Sequence, residues 1–251
     1  MYKDNEPIFT LNSKCLSLKR EQKDLGIIMA PKLSWKLNAD QRCKKAWKAF
    51  YFLKRNISPL ASKDTKLNAY VGYVIPVISY ASPTWFANKT ETKSIESIQR
   101  KATKWILNSS CKSYKKRLIE MRLLPLSYYF ELHDLLMLVS ILNGNYNIKF
   151  PINLYKIDED QSCTRQNEQI IIPKTRTRKA DENFWKRASY FLNLIQKVGK
   201  VDREQIDKKY LTNLYWNYFN KEYSEVNLCS WAINCSCGNC NPVPKISSAV
   251  R

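Results

Sequence analysis

Apolar positions between Asp40 and Ile57 recur at helical spacing. Cys43, Ala46, Phe50, Leu53 and Ile57 fall on one face, whereas Lys44, Lys48, Tyr51 and Arg55 fall opposite them at i, i+4, i+7 and i+11. The pattern predicts an amphipathic helix with a basic outer stripe. The segment from Ile95 to Asn108 repeats it, with Ile95, Ile98, Ala102, Trp105 and Ile106 inward and Lys93, Ser97, Arg100 and Lys104 outward. Tyr114 to Met121 predicts a short helix. Pro125 then opens a longer one through Leu142, apolar on most sides, for which Gly144 supplies the C-terminal stop. That helix is expected at the centre of the core.

Other segments carry shorter signals. Leu25-Gly26-Ile27-Ile28-Met29, closed by Pro31, predicts a short buried strand, a fragment of a small sheet. Ile170 to Ile172 predicts another. Glu182 to Val198 and Arg203 to Asn220 read as aromatic-rich helices whose rings are mostly core, with one or two beside the basic stretch available to stack on bases. The uncharged run from Leu67 to Asn88 is long enough to span a bilayer, but Asn68, Ser79, Ser82 and Thr84 are costly in lipid. A buried helix and its exit loop are expected there, and no membrane partner. The fold class is therefore mainly α: a helical bundle with a short β element at the N-terminus and a small Cys-rich C-terminal tail. Segment boundaries are placed at 1–35, 36–145, 146–169 (a linker), 170–226 (a basic, aromatic-rich helical part) and 227–251 (the tail).

Charge gives the helical faces a meaning. The chain of 251 residues holds 42 Lys and Arg against 22 Asp and Glu, a formal net charge of +20, with 44% hydrophobic residues to build a core. Cations can simply solvate an exposed face, but acidic residues solvate as well and are scarce on these two. An anionic partner accounts for the imbalance. Lys174-Thr175-Arg176-Thr177-Arg178-Lys179 adds extended cations able to reach phosphates. The candidate nucleic-acid contacts are Lys44, Lys48, Arg55, Lys93, Arg100, Lys104, Arg176, Arg178 and Lys179.

The remaining composition excludes other chemistry. Five dispersed glycines assemble no phosphate loop. The single histidine, His133, offers no partner for a proton relay and is expected to be structural. Asp158-Glu159-Asp160 reads as a solvated turn. The N-terminus carries no secretory pattern, so an intracellular location, nuclear or cytoplasmic, is expected. Cys229, Cys235, Cys237 and Cys240 are crowded enough for a structural zinc closed by four thiolates; reduced, metal-free thiols are the alternative.

Several ordered stretches carry a family resemblance. Lys23-Asp24-Leu25-Gly26-Ile27, Leu33-Ser34-Trp35 and Lys45-Ala46 resemble the palm end and thumb start of reverse transcriptases from non-LTR, LINE-type (jockey-like) retrotransposons. Tyr73 to Trp85 resembles that family's tyrosine-to-tryptophan stretch, Ile95 to Ala102 its Ile-Glu-x-Ile-Gln-Arg-x-Ala helix, and Tyr114 to Leu118 its Tyr-x-x-Arg-Leu element. Phe184 and Arg187 resemble a looser Phe-x-x-Arg element. The resemblance implies a palm remnant at 1–35, a thumb-like helical domain at 36–145, and apolar surface left bare near Leu25 to Met29. Such RNA-directed DNA polymerases hold two divalent ions on an adjacent aspartate pair, and this chain contains no Asp-Asp pair. The expectation is a truncated fragment of such an enzyme, inactive alone, that grips template-primer RNA, DNA or hybrid through the phosphate backbone. Catalytic magnesium, palm and fingers would belong to the intact polymerase. The alternatives are an independent nucleic-acid-binding adaptor with a zinc-knuckle-like C-terminus, or a non-functional relic reading frame.

Overall fold

Two antiparallel hairpins precede the helices. β1 (Thr10–Leu11) pairs with β2 (Lys14–Cys15), and β3 (Gln22–Asp24) with β4 (Ile27–Met29), Lys23 opposite Ile28. Leu25 and Gly26 both have positive φ, 43° and 80°, the two-residue turn whose twist matches its strands. Three hydrogen bonds fasten this second hairpin. Arg42 Nη2 donates to the Gly26 carbonyl (2.8 Å), Tyr80 Oη to the Leu25 carbonyl (2.8 Å), and the Ile28 N–H to Asn38 Oδ1 (3.2 Å). The predicted buried strand is only half-buried, because a two-stranded ribbon covers one face. Leu25 is 81% exposed and Met29 39%.

The computed structural model describes residues 9–15, 19, 21–86, 89–108, 112–148, 156–158, 169–172, 174, 176–177, 183–199 and 206–225. Helix α1 (Lys36–Asn56) begins four residues before the predicted Asp40, since Asn38 and Ala39 turn inward beside the hairpin. Ser62 caps α2 (Lys63–Ala69), its hydroxyl accepting from the Thr65 N–H. The helix then widens to a π-turn at Tyr70–Val74, where the Ile75 N–H reaches five residues back to the Tyr70 carbonyl, before α3 (Ile75–Ser79). Pro76 lacks the N–H that regular winding requires. Ala81, at φ 51°, breaks the path before α4 (Ser82–Trp85). The expected buried helix is therefore a broken one with an open side: Val71, Tyr73 and Tyr80 are exposed.

Helix α5 (Lys89–Ile106) packs along α1, and Trp105 meets Phe50 edge-on at 5.8 Å. Next come α6 (Tyr114–Glu120) and α7 (Leu126–Leu142), the latter stopped by Gly144 at φ 73°. β5 (Lys156–Asp158) pairs with β6 (Gln169–Ile171), and α8 (Phe184–Gly199) and α9 (Lys208–Glu225) complete the described chain. Two apolar clusters result. One gathers Phe50, Tyr70, Trp85, Ile95 and Ile98; the other gathers Leu135, Ile170, Phe191, Leu211, Tyr215 and Phe219. Helix α7 serves both, giving Leu126 and Phe130 to the first and Tyr128 and Leu132 to the second, which explains why it is apolar nearly all round. The protein is mainly helical with a short N-terminal β element. No described helix is long and apolar enough to cross a membrane.

Glu96 joins α5, α6 and α7. Its buried carboxylate accepts from the Tyr114 hydroxyl and from the Leu126 N–H (3.0 Å), one of the N–H groups that the start of α7 leaves without an intrahelical partner. Burial raises its pKa above 4.5, against the pull of the Tyr114 bond, Arg100 and the Leu126 bond. Between the unfolded and folded values the native state holds the extra proton, so unfolding free energy falls as pH rises through that window. Glu96→Gln removes this dependence. Urea unfolding from about pH 4 to about pH 7 should show wild type losing stability relative to Glu96→Gln; a constant difference contradicts this reading.

Candidate nucleic-acid interface

The outer face of α1 follows directly from its sequence period. Lys44, Lys48 and Arg55 are all exposed, and Lys45 and Lys54 join them. Residues 41–63, between Asp40 and Asp64, contain no acidic residue at all. At 1.5 Å per residue the row from Lys44 to Arg55 extends about 16 Å along one rigid helix. Uncompensated charge at this density attracts polyanions in a salt-dependent way.

Helix α5 contributes less than its sequence promises. Lys104 is exposed, as is Lys101, but Arg100 is half-buried with its guanidinium 4.3 Å over the Tyr114 ring. Lys93 lies on α5, and its side chain is outside the described residues. Arg176 is exposed, yet Arg176 and Thr177 form a bend rather than the expected extended segment. β6 ends at Ile171, and the proline at position 173 has no N–H to continue a ladder. Arg178, Lys179 and the cysteines Cys229, Cys235, Cys237 and Cys240 lie outside the described residues. Among the described residues the exposed candidates are thus Lys44, Lys48 and Arg55 on α1, Lys104 on α5, and Arg176.

Among the described residues four further Lys or Arg side chains are buried, which the sequence did not signal. Lys66 is fully buried and donates to the Pro59 carbonyl (2.7 Å) and Asn108 Oδ1 (3.1 Å), tying the loop after α1 to the end of α5. Arg117 donates through Nε to Thr103 Oγ1 (3.1 Å) and through Nη1 to the Lys112 carbonyl. Arg42 holds the hairpin, and Lys115 lies near the Phe219 ring. These side chains satisfy backbone and core, so the net charge overstates what a ligand can meet.

Alternative chemistry finds little support among the described residues. No group of three or more His, Cys, Asp or Glu side chains there could hold a metal ion. Burial, then Asp40, pushes the Cys43 thiol up to about 11, keeping it protonated. His133 is half-buried, its ring 4.4 Å from Tyr129 and its Nδ1 3.5 Å from Ser82 Oγ. Burial and the neighbouring Lys208 lower its pKa, so the imidazole is neutral at neutral pH.

A second feature adjoins the α1 cations. An open groove of about 1060 Å³ runs between α1 and the π-turn, with Trp47, Tyr51 and Phe52 on one wall and Tyr73 and Val77 on the other. Lys45, Lys48 and Arg55 also line it. The inward set read from α1 left Phe52 out. A large apolar residue stranded on the polar face was the available signal. Comparison of the chain with protein-family models, with curated proteins and with solved structures gave no match.

Proposed function

We propose that this chain binds nucleic acid through its phosphate backbone, as the thumb-like portion of a non-LTR-type reverse transcriptase would grip a template-primer duplex. The observation that carries the reading is the outer face of α1: exposed Lys44, Lys45, Lys48, Lys54 and Arg55 with no acidic residue between Asp40 and Asp64. Cations on a rigid helix supply affinity and position without sequence choice. Exposed Lys101 and Lys104 on the neighbouring α5 add to the positive field. The chain has no aspartate pair, so its role in this reading is to hold the duplex while chemistry proceeds elsewhere.

A salt titration tests this. For a duplex of about 20 base pairs, log affinity should fall linearly with log salt at about −0.9 per phosphate contacted, hence steeper than about −3 overall. Unrelated duplex sequences should give the same line. Binding indifferent to salt, or none at low salt, rejects the proposal.

A further inference from the structure

We infer that the groove between α1 and the π-turn is a stacking site for unpaired nucleotides, placed beside the backbone-gripping face of α1. The inference rests on the nucleic-acid reading above and adds the kind of strand and the side chains that meet its bases.

The groove rings are arranged in flat pairs. Trp47 and Tyr51 stack with centroids 5.6 Å apart and planes 24° from parallel, and Phe52 and Tyr73 stack at 5.8 Å and 29°. Phe52 and Tyr73 stay 47% and 51% exposed. Rings of this size usually go to the core, yet these are held at the surface by two rigid elements. A half-exposed stacked pair can be extended by one more flat ring, and every base has one.

Tyr73 stands where it does because of the π-turn. The wide turn at Tyr70–Val74 leaves Tyr70 and Val74 buried while Tyr73 projects toward Phe52. Such single-turn π segments commonly mark functional positions.

Charge and shape select the occupant. Lys45, Lys48 and Arg55 line the groove and no acidic side chain does. Along α1 these three extend about 15 Å, enough to follow a strand of several phosphates. An open groove of about 1060 Å³ differs from the enclosed pockets that bury small ligands. Along a paired duplex the base faces are stacked on one another, so away from its ends unpaired nucleotides are what can use the rings while their phosphates meet the cations.

The test uses the full chain and a 12-nucleotide oligo-deoxyuridine carrying 5-iodouracil, against a blunt duplex of equal length. Ultraviolet crosslinking of wild type should place the adduct on Trp47, Tyr51, Phe52 or Tyr73 by peptide mass spectrometry. Phe52→Leu with Tyr73→Leu should weaken the single strand about tenfold and leave the duplex within about twofold, the loss expected for one stacked base. Both positions are half-exposed, and an unchanged unfolding midpoint verifies the fold. Adducts only elsewhere, or equal losses for both ligands, overturn the inference. Wild type that binds duplex but not the single strand overturns the stacking site alone, whereas wild type that binds neither overturns the nucleic-acid reading too. A groove that takes an acidic amphipathic peptide and leaves the oligonucleotide bound elsewhere makes it a protein-docking site instead.

Discussion

Lys44→Glu, Lys48→Glu and Arg55→Glu combined are expected to lower duplex affinity on the order of a hundredfold at about 50 mM salt, equally for unrelated sequences. Each lost phosphate contact removes about 0.9 from the salt slope, and at that salt each released counterion is worth about one decade. Three contacts would thus give about three decades if all were fully formed. Long exposed side chains seldom are, and the lysines and arginine left in place recover part of the field. The variant's log–log salt line should also be shallower by about 1.5, and the two lines should converge toward molar salt. Because all three side chains are exposed, the unfolding midpoint should hardly move. A folded variant that keeps wild-type affinity and slope would remove α1 from the interface.

Much of this surface was legible in the sequence, for a definite reason. Lys44, Lys48 and Arg55 alternate with Ala46, Phe50 and Leu53 at a helical period, and burying the apolar face forces the cations outward. Helix α7 was legible by the opposite logic. Its lack of a polar face requires apolar neighbours on all sides, and two clusters supply them. The run from Leu67 to Asn88 offers no such contrast. With no charged residue to mark an outside, its split into π-turn, α3 and α4 depends on Pro76 and on the backbone at Ala81. The sequence therefore places Tyr73 in a buried helix, whereas in the fold it forms a groove wall.

Inward-facing cations were illegible because turns and helix packing, not the helical period, bring carbonyls, side-chain oxygens and rings to them. Lys66 looks like any helix-surface lysine until the Pro59 carbonyl and Asn108 are brought to it. Arg100 shares the predicted outer stripe with exposed Ser97 and Lys104, yet Tyr114 captures it from the next helix. A helical period states which side of a helix meets apolar matter. It does not state which polar group a long side chain can reach once the helices pack.

Arg187→Ala should cost about 3–5 kcal/mol in unfolding free energy, the penalty for breaking a buried ion pair by removing one partner. Arg187 was marked in the sequence only by the looser Phe-x-x-Arg likeness, and its charge alone would place it with the ligand-facing cations. In the fold it turns inward from α8 to α7. Nε and Nη2 donate to Asp134 Oδ2 at 3.1 and 3.0 Å, and Nη2 also reaches the Pro83 carbonyl at 3.2 Å. The Asp134 side chain is fully buried and that of Arg187 only 13% exposed, so solvent does little to screen the pair. One guanidinium thereby links α4, α7 and α8, the elements bordering both apolar clusters. Lysine has no planar fork, and Arg187→Lys should recover only part of the loss. Asp134→Leu combined with Arg187→Met removes both charges and should be far milder than Arg187→Ala. Nucleic-acid affinity per folded molecule should be unchanged in all three variants. Urea unfolding decides: an Arg187→Ala loss below about 1 kcal/mol would match an exposed salt bridge and contradict the structural role.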